Sequence, residues 1–217
     1  MLGNALLEVA IGVDPGKSGA IATLIGNAPI VKPAPIIVTK VRKRTKKGMS
    51  DVNQKEFDMV GMLALLKPFQ GQKVTFAIEA VGVTSHDGKA SMFDFGEGYG
   101  YWKMAAVAMG FKLVVVRPQE WKKHYPEMLD SKVISDLRET LKGLRVDLSS
   151  AKDKKQKASI NKQMADITRQ VKYHSKDAAR LYAAKLYPEI ADEFKLKKDD
   201  GKAEAVLIAR YAKEKLC

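Results

Sequence analysis

A stretch near the N-terminus, Ile11–Leu24, places one acid, Asp14, directly after a short apolar run. The turn residues Gly16 and Gly19 follow the acid and lead into a second apolar run, which predicts a β-hairpin with Asp14 ending its first strand. The stretch misses a phosphate-binding P-loop by one residue, because the first glycine of that motif would fall on Ile11. A carboxylate here is costly unless a cation binds it. The stretch therefore indicates either an ordinary hairpin turn or metal or phosphate chemistry.

The chain is strongly basic, with 38 Lys and Arg against 25 Asp and Glu in 217 residues and a formal net charge of +13. This charge predicts a polyanionic partner, unless it serves only to keep the protein in solution. Nucleic acid fits better than a membrane, because no apolar run approaches the ~20 residues that span a bilayer. The densest charge lies in the run 40–47, which is expected to be either a solvated loop or a tip that contacts phosphates. The candidate DNA-binding residues of this half of the chain are Lys17, Lys40, Arg42, Lys43, Arg44, Lys46 and Lys47.

Cysteine usage indicates the compartment. Cys217 is the only cysteine of the sequence, which excludes a disulfide framework and a Cys-based zinc site. With no signal-peptide pattern at the N-terminus, we expect an intracellular protein, cytoplasmic or nucleoid-associated and not secreted.

The chain length and a hydrophobic content of 46% predict one domain over residues 1–217. After the first hairpin, strands are predicted at 35–39, 73–79 and 113–116. Helices are predicted from Ser50 or Asp51 to Pro68, and at 99–109, 118–124, 175–186 and 200–215, with a loop over 82–100. This alternation favours an α/β fold with a mixed five-stranded sheet flanked by helices.

Residues 130–172 have a different pattern from the rest of the chain. Apolar residues recur there at spacings of three and four along two segments. The pattern predicts an inserted basic antiparallel helical hairpin, with its turn at 147–150. Its role is open between a solvated arm and a contact with DNA or a second subunit.

Four carboxylates stand at predicted element ends: Asp14 and Glu79 after strands, and Asp200 and Glu204 at the start of the last helix, with Glu204 one turn inside it. The helical acids continue the apolar stripe of their helix, and Asp199 is expected to be the more exposed neighbour. If the two strands are adjacent and the helix crosses their ends, all four acids converge.

Converging like charges need cations, and oxygen ligands without thiols favour Mg²⁺, with Mn²⁺ as a substitute. Two such ions would hydrolyse a phosphodiester. Gly16 and Gly19 are then expected to leave clearance for a DNA backbone.

Five segments resemble, in this order, RuvC-type Holliday-junction resolvases of the phage and organellar branch: Ile11–Ala20, Phe76–Glu79, Val116–Lys123, Ser175–Arg180 and Lys198–Ala209. The resemblance implies a ribonuclease H-like fold, a homodimer formed through the helix after Gly98, two Mg²⁺ per active site and paired nicks across a four-way DNA junction. It implies catalytic and metal-binding roles for Asp14, Glu79, Asp200 and Glu204. It also places Lys122, Lys123 and Lys176 near the scissile phosphates.

Two departures separate the chain from the bacterial members of that family. The aromatic residue expected shortly after the second acid is missing, with Phe93 or Phe95 as substitutes, and Asp200 and Glu204 are spaced by four rather than three. The alternatives are a non-cleaving nucleic-acid-binding module of the same fold and a ribonuclease H acting on RNA–DNA hybrids. A phosphotransferase of the actin-like or sugar-kinase type is disfavoured, because the chain leaves little room for its second domain.

Overall fold

The structure is a computed structural model, and it describes residues 8–45, 48–82, 88–129 and 132–217. The chain divides into two compact units. Unit 1 contains the chain up to Trp121 together with Gly201–Cys217, and unit 2 contains Lys122–Asp200. No helix among these residues is long and apolar enough to cross a membrane.

Unit 1 is built on a sheet. The strands are β1 (Glu8–Asp14), β2 (Ala20–Ile25), β3 (Ala28–Pro33), β4 (Ile36–Thr45), β5 (Gly48–Phe57), β6 (Lys73–Glu79) and β7 (Lys112–Val116). Five of them form one sheet in the order β3-β2-β1-β6-β7. β1 pairs antiparallel with β2 and parallel with β6, and β6 pairs parallel with β7. The predicted mixed five-stranded α/β sheet is therefore confirmed.

The third strand of the sheet differs from the prediction, since it is β3 and not residues 35–39. Gly26, at φ 58°, supplies the positive φ that a two-residue hairpin turn requires. The prolines of β3 are tolerated because β3 lies at the sheet edge, where a missing N–H donor costs little.

β4 and β5 form a separate two-stranded antiparallel sheet, here called the ribbon. The charged loop predicted over 40–47 is wrong, because the strands pair from Ile36 opposite Phe57 to Thr45 opposite Gly48. The helix predicted to end at Pro68 exists, but its predicted start at Ser50 or Asp51 is wrong, because those residues lie in β5. Lys46 and Lys47 lie outside the described residues. Lys40 and Arg42 alternate with the β-branched residues Thr39 and Val41 in β4, which suits a solvent-exposed strand better than a loop.

The helices are α1 (Met59–Leu66), α2 (Lys89–Ala108), α3 (Pro118–Lys123), α4 (Pro126–Leu129), α5 (Lys132–Ser150), α6 (Lys154–Leu186) and α7 (Asp200–Lys215), with short 3₁₀ helices at Lys67–Phe69, Pro188–Phe194 and Lys197–Asp199. α1 begins late because Asp58 caps it, its side chain accepting a hydrogen bond from the Gly61 N–H.

The loop predicted over 82–100 is wrong from Lys89 onward, because α2 begins there. Its glycines lower helix propensity, but tertiary packing overrides this. Gly98 lies so close to the Pro15 carbonyl oxygen and the Phe57 ring that a side chain would overlap both.

The two faces of the central sheet are covered by different helices. Val9, Ile11 and Val13 of β1 are buried in one core cluster with residues of α1 and α2. Alternate residues of a strand face opposite sides, so Gly12 and Asp14 face away from this cluster. α7 covers that second face, because backbone atoms of Ala205 and Ala209 fill the space beside Gly12.

Unit 2 contains α5 and α6 packed against each other as a helical hairpin. α5 continues through Ser150, so the predicted turn at 147–150 is wrong, and Asp153 caps α6 by accepting from Lys155 N–H and Gln156 N–H. α6 is one helix of 33 residues, so residues 175–186 are helical as predicted, but their predicted start as a separate helix is wrong. The seam is apolar, with Ile134 fully buried and Ile160 nearly so.

Two glycines of α2 offer a matched test of this packing. We expect Gly98→Ala to lower the free energy of unfolding by about 1–3 kcal/mol, because the added methyl overpacks against Pro15 and Phe57. Gly100→Ala meets nothing within 4 Å and is expected to raise it by about 0.5–1 kcal/mol. Urea unfolding followed by circular dichroism measures both. Equal responses of the two variants would contradict the close approach at Gly98.

Candidate active site

Two of the four predicted acids end neighbouring parallel strands. The register of β1 with β6 runs from Glu8 opposite Lys73 to Val13 opposite Ile78. The next residues, Asp14 and Glu79, are therefore neighbours at the C-terminal ends of these two central strands. In-register neighbours of parallel strands share a face, and adjacent strands lie about 4.8 Å apart. Both carboxylates are half-buried. The sheet therefore makes the two strand ends that carry these acids neighbours, which is the condition that the sequence analysis set for the acids to converge.

α7 approaches this pair through its first turn. A Cβ on Gly201 would lie 2.9 Å from Asp14 Oδ2 and 2.8 Å from the Ser18 carbonyl oxygen, so glycine is what allows the helix to reach the acid. Gly201, Ala205 and Ala209 are spaced by four and form the side of α7 that faces β1. The start of α7 at Asp200 matches the predicted start of the last helix.

The two helical acids flank this side of α7 rather than continue it. Glu204 lies one turn after Gly201 and is half-buried. Asp200 is the first residue of α7, is also half-buried, and belongs to unit 2 in the division of the chain. The predicted helix is therefore confirmed. The prediction that Asp200 and Glu204 lie on its core-facing side is wrong, because Gly201, Ala205 and Ala209 form the side that faces β1.

Asp199 is a correction to the sequence analysis, which expected it to be exposed. It is 6% exposed, and its Oδ2 accepts a hydrogen bond from the Leu196 N–H at 2.9 Å. This contact caps the 3₁₀ helix Lys197–Asp199 and explains why a carboxylate is buried there.

The loop after β1, residues 15–19, is here called the Asp14 loop, and it is folded tightly around its acid. The Gly19 N–H donates to the Gly16 carbonyl oxygen at 2.9 Å, and the Gly16 N–H donates to Asp14 Oδ1 at 3.4 Å. A side chain on Gly19 would overlap Asp14 itself. The clearance expected for a DNA backbone at Gly16 and Gly19 is thus used by the protein's own atoms.

Lys17 connects the Asp14 loop to α2. Its Nζ lies 2.8 Å from Asp94 Oδ1, 3.8 Å from Glu97 Oε2 and 5.5 Å from the centre of the Phe57 ring. The Tyr101 hydroxyl donates to Glu97 Oε1 at 2.9 Å, and this hydrogen bond raises the pKa of Tyr101. The sequence analysis missed Asp94 and Glu97 because it treated this part of α2 as a loop, although their spacing of three suits one helical face.

A cleft of about 870 Å³ lies between the ribbon and the first half of α2. Lys17 and Ser18 of the Asp14 loop line it, together with Lys43 and Lys55 of the ribbon. Phe93 projects at its rim and is 71% exposed. Phe95, 44% exposed, packs closer to the loop, since a Cβ on Gly16 would lie 3.1 Å from its ring.

The remaining predicted cationic residues are placed as follows. Lys40, Arg42, Lys43 and Arg44 are exposed on β4; Lys122 is half-buried and Lys123 exposed on α3; Lys176 is described only by its backbone, within α6. The ribbon is therefore the part of unit 1 that concentrates the predicted phosphate contacts.

The described part of the chain contains no group of three or more His, Cys, Asp or Glu side chains arranged to hold a metal ion. The residues that could hold a hard cation are instead the two carboxylates at the neighbouring ends of β1 and β6, and α7 packs on one of them, Asp14. Oxygen-only donors suit Mg²⁺ or Mn²⁺. A divalent cation would offset the repulsion between the two acids.

No protein-family model matches the chain, and no curated protein matches it in sequence. The chemistry open to the site follows from its geometry and charge. Paired carboxylates at neighbouring strand ends can bind divalent cations, and a cationic ribbon in the same unit can bind phosphates.

Proposed function

We propose that this protein is a structure-selective DNA endonuclease that resolves four-way junctions by Mg²⁺-dependent phosphodiester hydrolysis. The observation that carries the proposal is the register of β1 and β6. Because of this register, two carboxylates lie at neighbouring strand ends, beside the Asp14 loop. The order of the five motifs that resemble RuvC-type resolvases supports the same reaction and a ribonuclease H-like fold.

In this proposal Asp14, Glu79, Glu204 and Asp200 supply the oxygen ligands. Bound Mg²⁺ ions would supply an activated water and charge stabilisation at the leaving 3′ oxygen. Asp14 is held by the Gly16 N–H and by the packing of Gly201, so its carboxylate is fixed before any cation binds. Such fixed ligands keep the cost of ordering the site low.

The ribbon supplies the phosphate contacts. Lys40, Arg42 and Arg44 alternate along β4 and share one face, and Lys55, opposite Val38, adds a fourth cation to it. Within the described ribbon the only acid on that face is Asp51, opposite Arg42. A two-stranded ribbon fits the major groove of duplex DNA, where Arg and Lys contact both phosphates and bases.

A homodimer would form through an apolar groove between α1 and α2. The groove has a volume of about 250 Å³ and is lined by Met59, Leu63, Met104 and other apolar residues. Next to it, Val60 is 78% exposed and Met104 69% exposed. Contiguous exposed apolar surface of this kind marks an interaction site, and a second subunit brings the second cut that a four-way junction requires.

Phe93 is the aromatic residue that we propose opens the junction centre. It is the more exposed of the two candidates and stands at the rim of the cleft beside the Asp14 loop. Aromatic side chains in such positions stack on unpaired bases.

Cleavage assays with labelled four-way junction, linear duplex and RNA–DNA hybrid test the proposed activity. We expect Mg²⁺-dependent cutting of the junction alone. Asp14→Asn and Glu79→Gln should each lower the cleavage rate at least about a hundredfold, because each removes a proposed metal ligand. Junction binding should persist, since it depends on cationic residues.

Glu189→Gln, an exposed acid of unit 2, is the control and should cleave like wild type. Cutting of the hybrid alone would instead identify a ribonuclease H. Junction binding without any cutting would identify the non-cleaving module.

The ribbon's role is tested by the double variant Arg42→Ala/Arg44→Ala. We expect about tenfold weaker junction binding and a shallower salt dependence, by about 0.9 in the log–log slope per lost phosphate contact. Lys73→Ala, at the opposite end of β6 from Glu79, is the matched control and should leave the slope unchanged. Fluorescence anisotropy at several salt concentrations measures both variants. Equal slopes for all three proteins would contradict the assignment.

The dimer is tested by sedimentation. We expect wild type to sediment at twice the chain mass of 24.0 kDa. Met104→Glu should sediment as a monomer, because a charge in an apolar interface is costly to desolvate. Ile30→Glu, equally a charge placed on an exposed apolar residue but in β3, should remain dimeric. A monomeric wild type, or a dimeric Met104→Glu, would argue against this interface.

A further inference from the structure

We propose that Lys17 is a positioning residue, which fixes the Asp14 loop against α2, rather than a DNA contact. This inference rests on the proposed function, since it assigns Lys17 a role at the same site. It also replaces the phosphate-binding role that the sequence predicts for this lysine.

The surroundings of Lys17 already satisfy its charge. Its side chain is 17% exposed, and Nζ lies 2.8 Å from Asp94 Oδ1 and 3.8 Å from Glu97 Oε2. Glu97 is itself held by the Tyr101 hydroxyl at 2.9 Å. A lysine that is mostly buried and faces two carboxylates offers little to a phosphate, which those carboxylates would repel.

α2 contacts the Asp14 loop at further points on the same helical face. Gly98 lies against the Pro15 carbonyl oxygen, and the Phe95 ring lies against Gly16. Gly16 in turn donates its N–H to Asp14 Oδ1. α2 therefore contacts Pro15, Gly16 and Lys17 of the Asp14 loop. Gly16 in turn holds the Asp14 carboxylate, so the ion pair of Lys17 is one of the contacts that fix this loop.

The expected effect is on geometry more than on stability. Asp94 is 46% exposed, and ion pairs with this much solvent around them contribute little to folding. A displacement of about 1 Å at a reacting group can cost about a hundredfold in rate. Loss of the ion pair should therefore appear in metal binding and in the rate of the chemical step.

Calorimetric titration of the protein with Mg²⁺ separates positioning from simple electrostatics. Removing a cation near a metal site should by itself strengthen Mg²⁺ binding. Positioning predicts the opposite sign, and we expect Lys17→Met to bind Mg²⁺ several-fold more weakly than wild type. Lys17→Arg keeps the ion pair and should bind nearly normally. Unchanged or tighter Mg²⁺ binding by Lys17→Met overturns the proposal.

Single-turnover cleavage of the junction at saturating protein gives a second, independent readout. Asp94→Asn/Glu97→Gln should slow cleavage roughly tenfold, as Lys17→Met does, while the concentration of protein that half-saturates the junction changes little. The control Glu189→Gln/Asp192→Asn removes the same charge from two exposed acids of unit 2 and should cleave normally. If Lys17 bound phosphate, Asp94→Asn/Glu97→Gln would free it, and faster cleavage or tighter binding would overturn the proposal.

The two proposals fail in different ways. A wild-type protein that neither binds Mg²⁺ nor cuts the junction overturns the proposed function and this inference with it. A wild type that does both, with Lys17→Met indistinguishable from it, overturns the inference alone. Melting temperatures of all variants within a few degrees of wild type are expected, and a large drop for Lys17→Arg as well as Lys17→Met would assign Lys17 a merely structural role.

Discussion

The close packing of α7 on β1 determines where the candidate site lies. Gly12 has no side chain, and backbone atoms of Ala205 and Ala209 occupy the space that a Cβ would fill. This contact sets the height of the helix above the strand, so that Gly201, two turns earlier, meets Asp14 Oδ2. Backbone approach of this kind is rigid, because it leaves no flexible side chain to absorb a shift. The position of Asp14 relative to α7 thus depends on glycine and alanine residues, whose side chains have no polar groups.

Electrostatics then separates the surface of unit 1 into regions with different roles. One face of the ribbon carries four cations and a single acid. Lys17 of the Asp14 loop is instead balanced by two carboxylates of α2. The long-range field of a protein steers a polyanion and local pairs do not, so under the proposed function the ribbon would attract DNA while Lys17 would stay engaged within the protein. The net positive charge of the chain alone does not distinguish these two kinds of cation.

Local sequence patterns predicted much of the sheet and α7, and failed where tertiary context decided the outcome. Apolar runs ending on Asp14 and Glu79 indicated two strands, and the alternation of strands and helices indicated a mixed sheet, but not that these two strands are neighbours. The ribbon was missed because its charge resembles that of a solvated loop, and the first half of α2 was missed because its glycines resemble a turn. Asp199 was misjudged because a 3₁₀ cap leaves no periodic signal. The close approaches at Gly12 and Gly201 depend on long-range packing, which a single sequence does not display.

The continuity of α6 restricts how the hairpin of unit 2 can vary in length. A helix of 33 residues is a rod of about 50 Å, and each residue added or removed turns everything beyond it by about 100°. A change of one residue would rotate the apolar seam at Ile160 away from α5. Insertions and deletions are therefore compatible with this packing only in steps of about seven residues, which are close to two whole turns. α5 must change by the same length. A change in hairpin length that keeps this packing therefore comes in discrete steps shared by both helices.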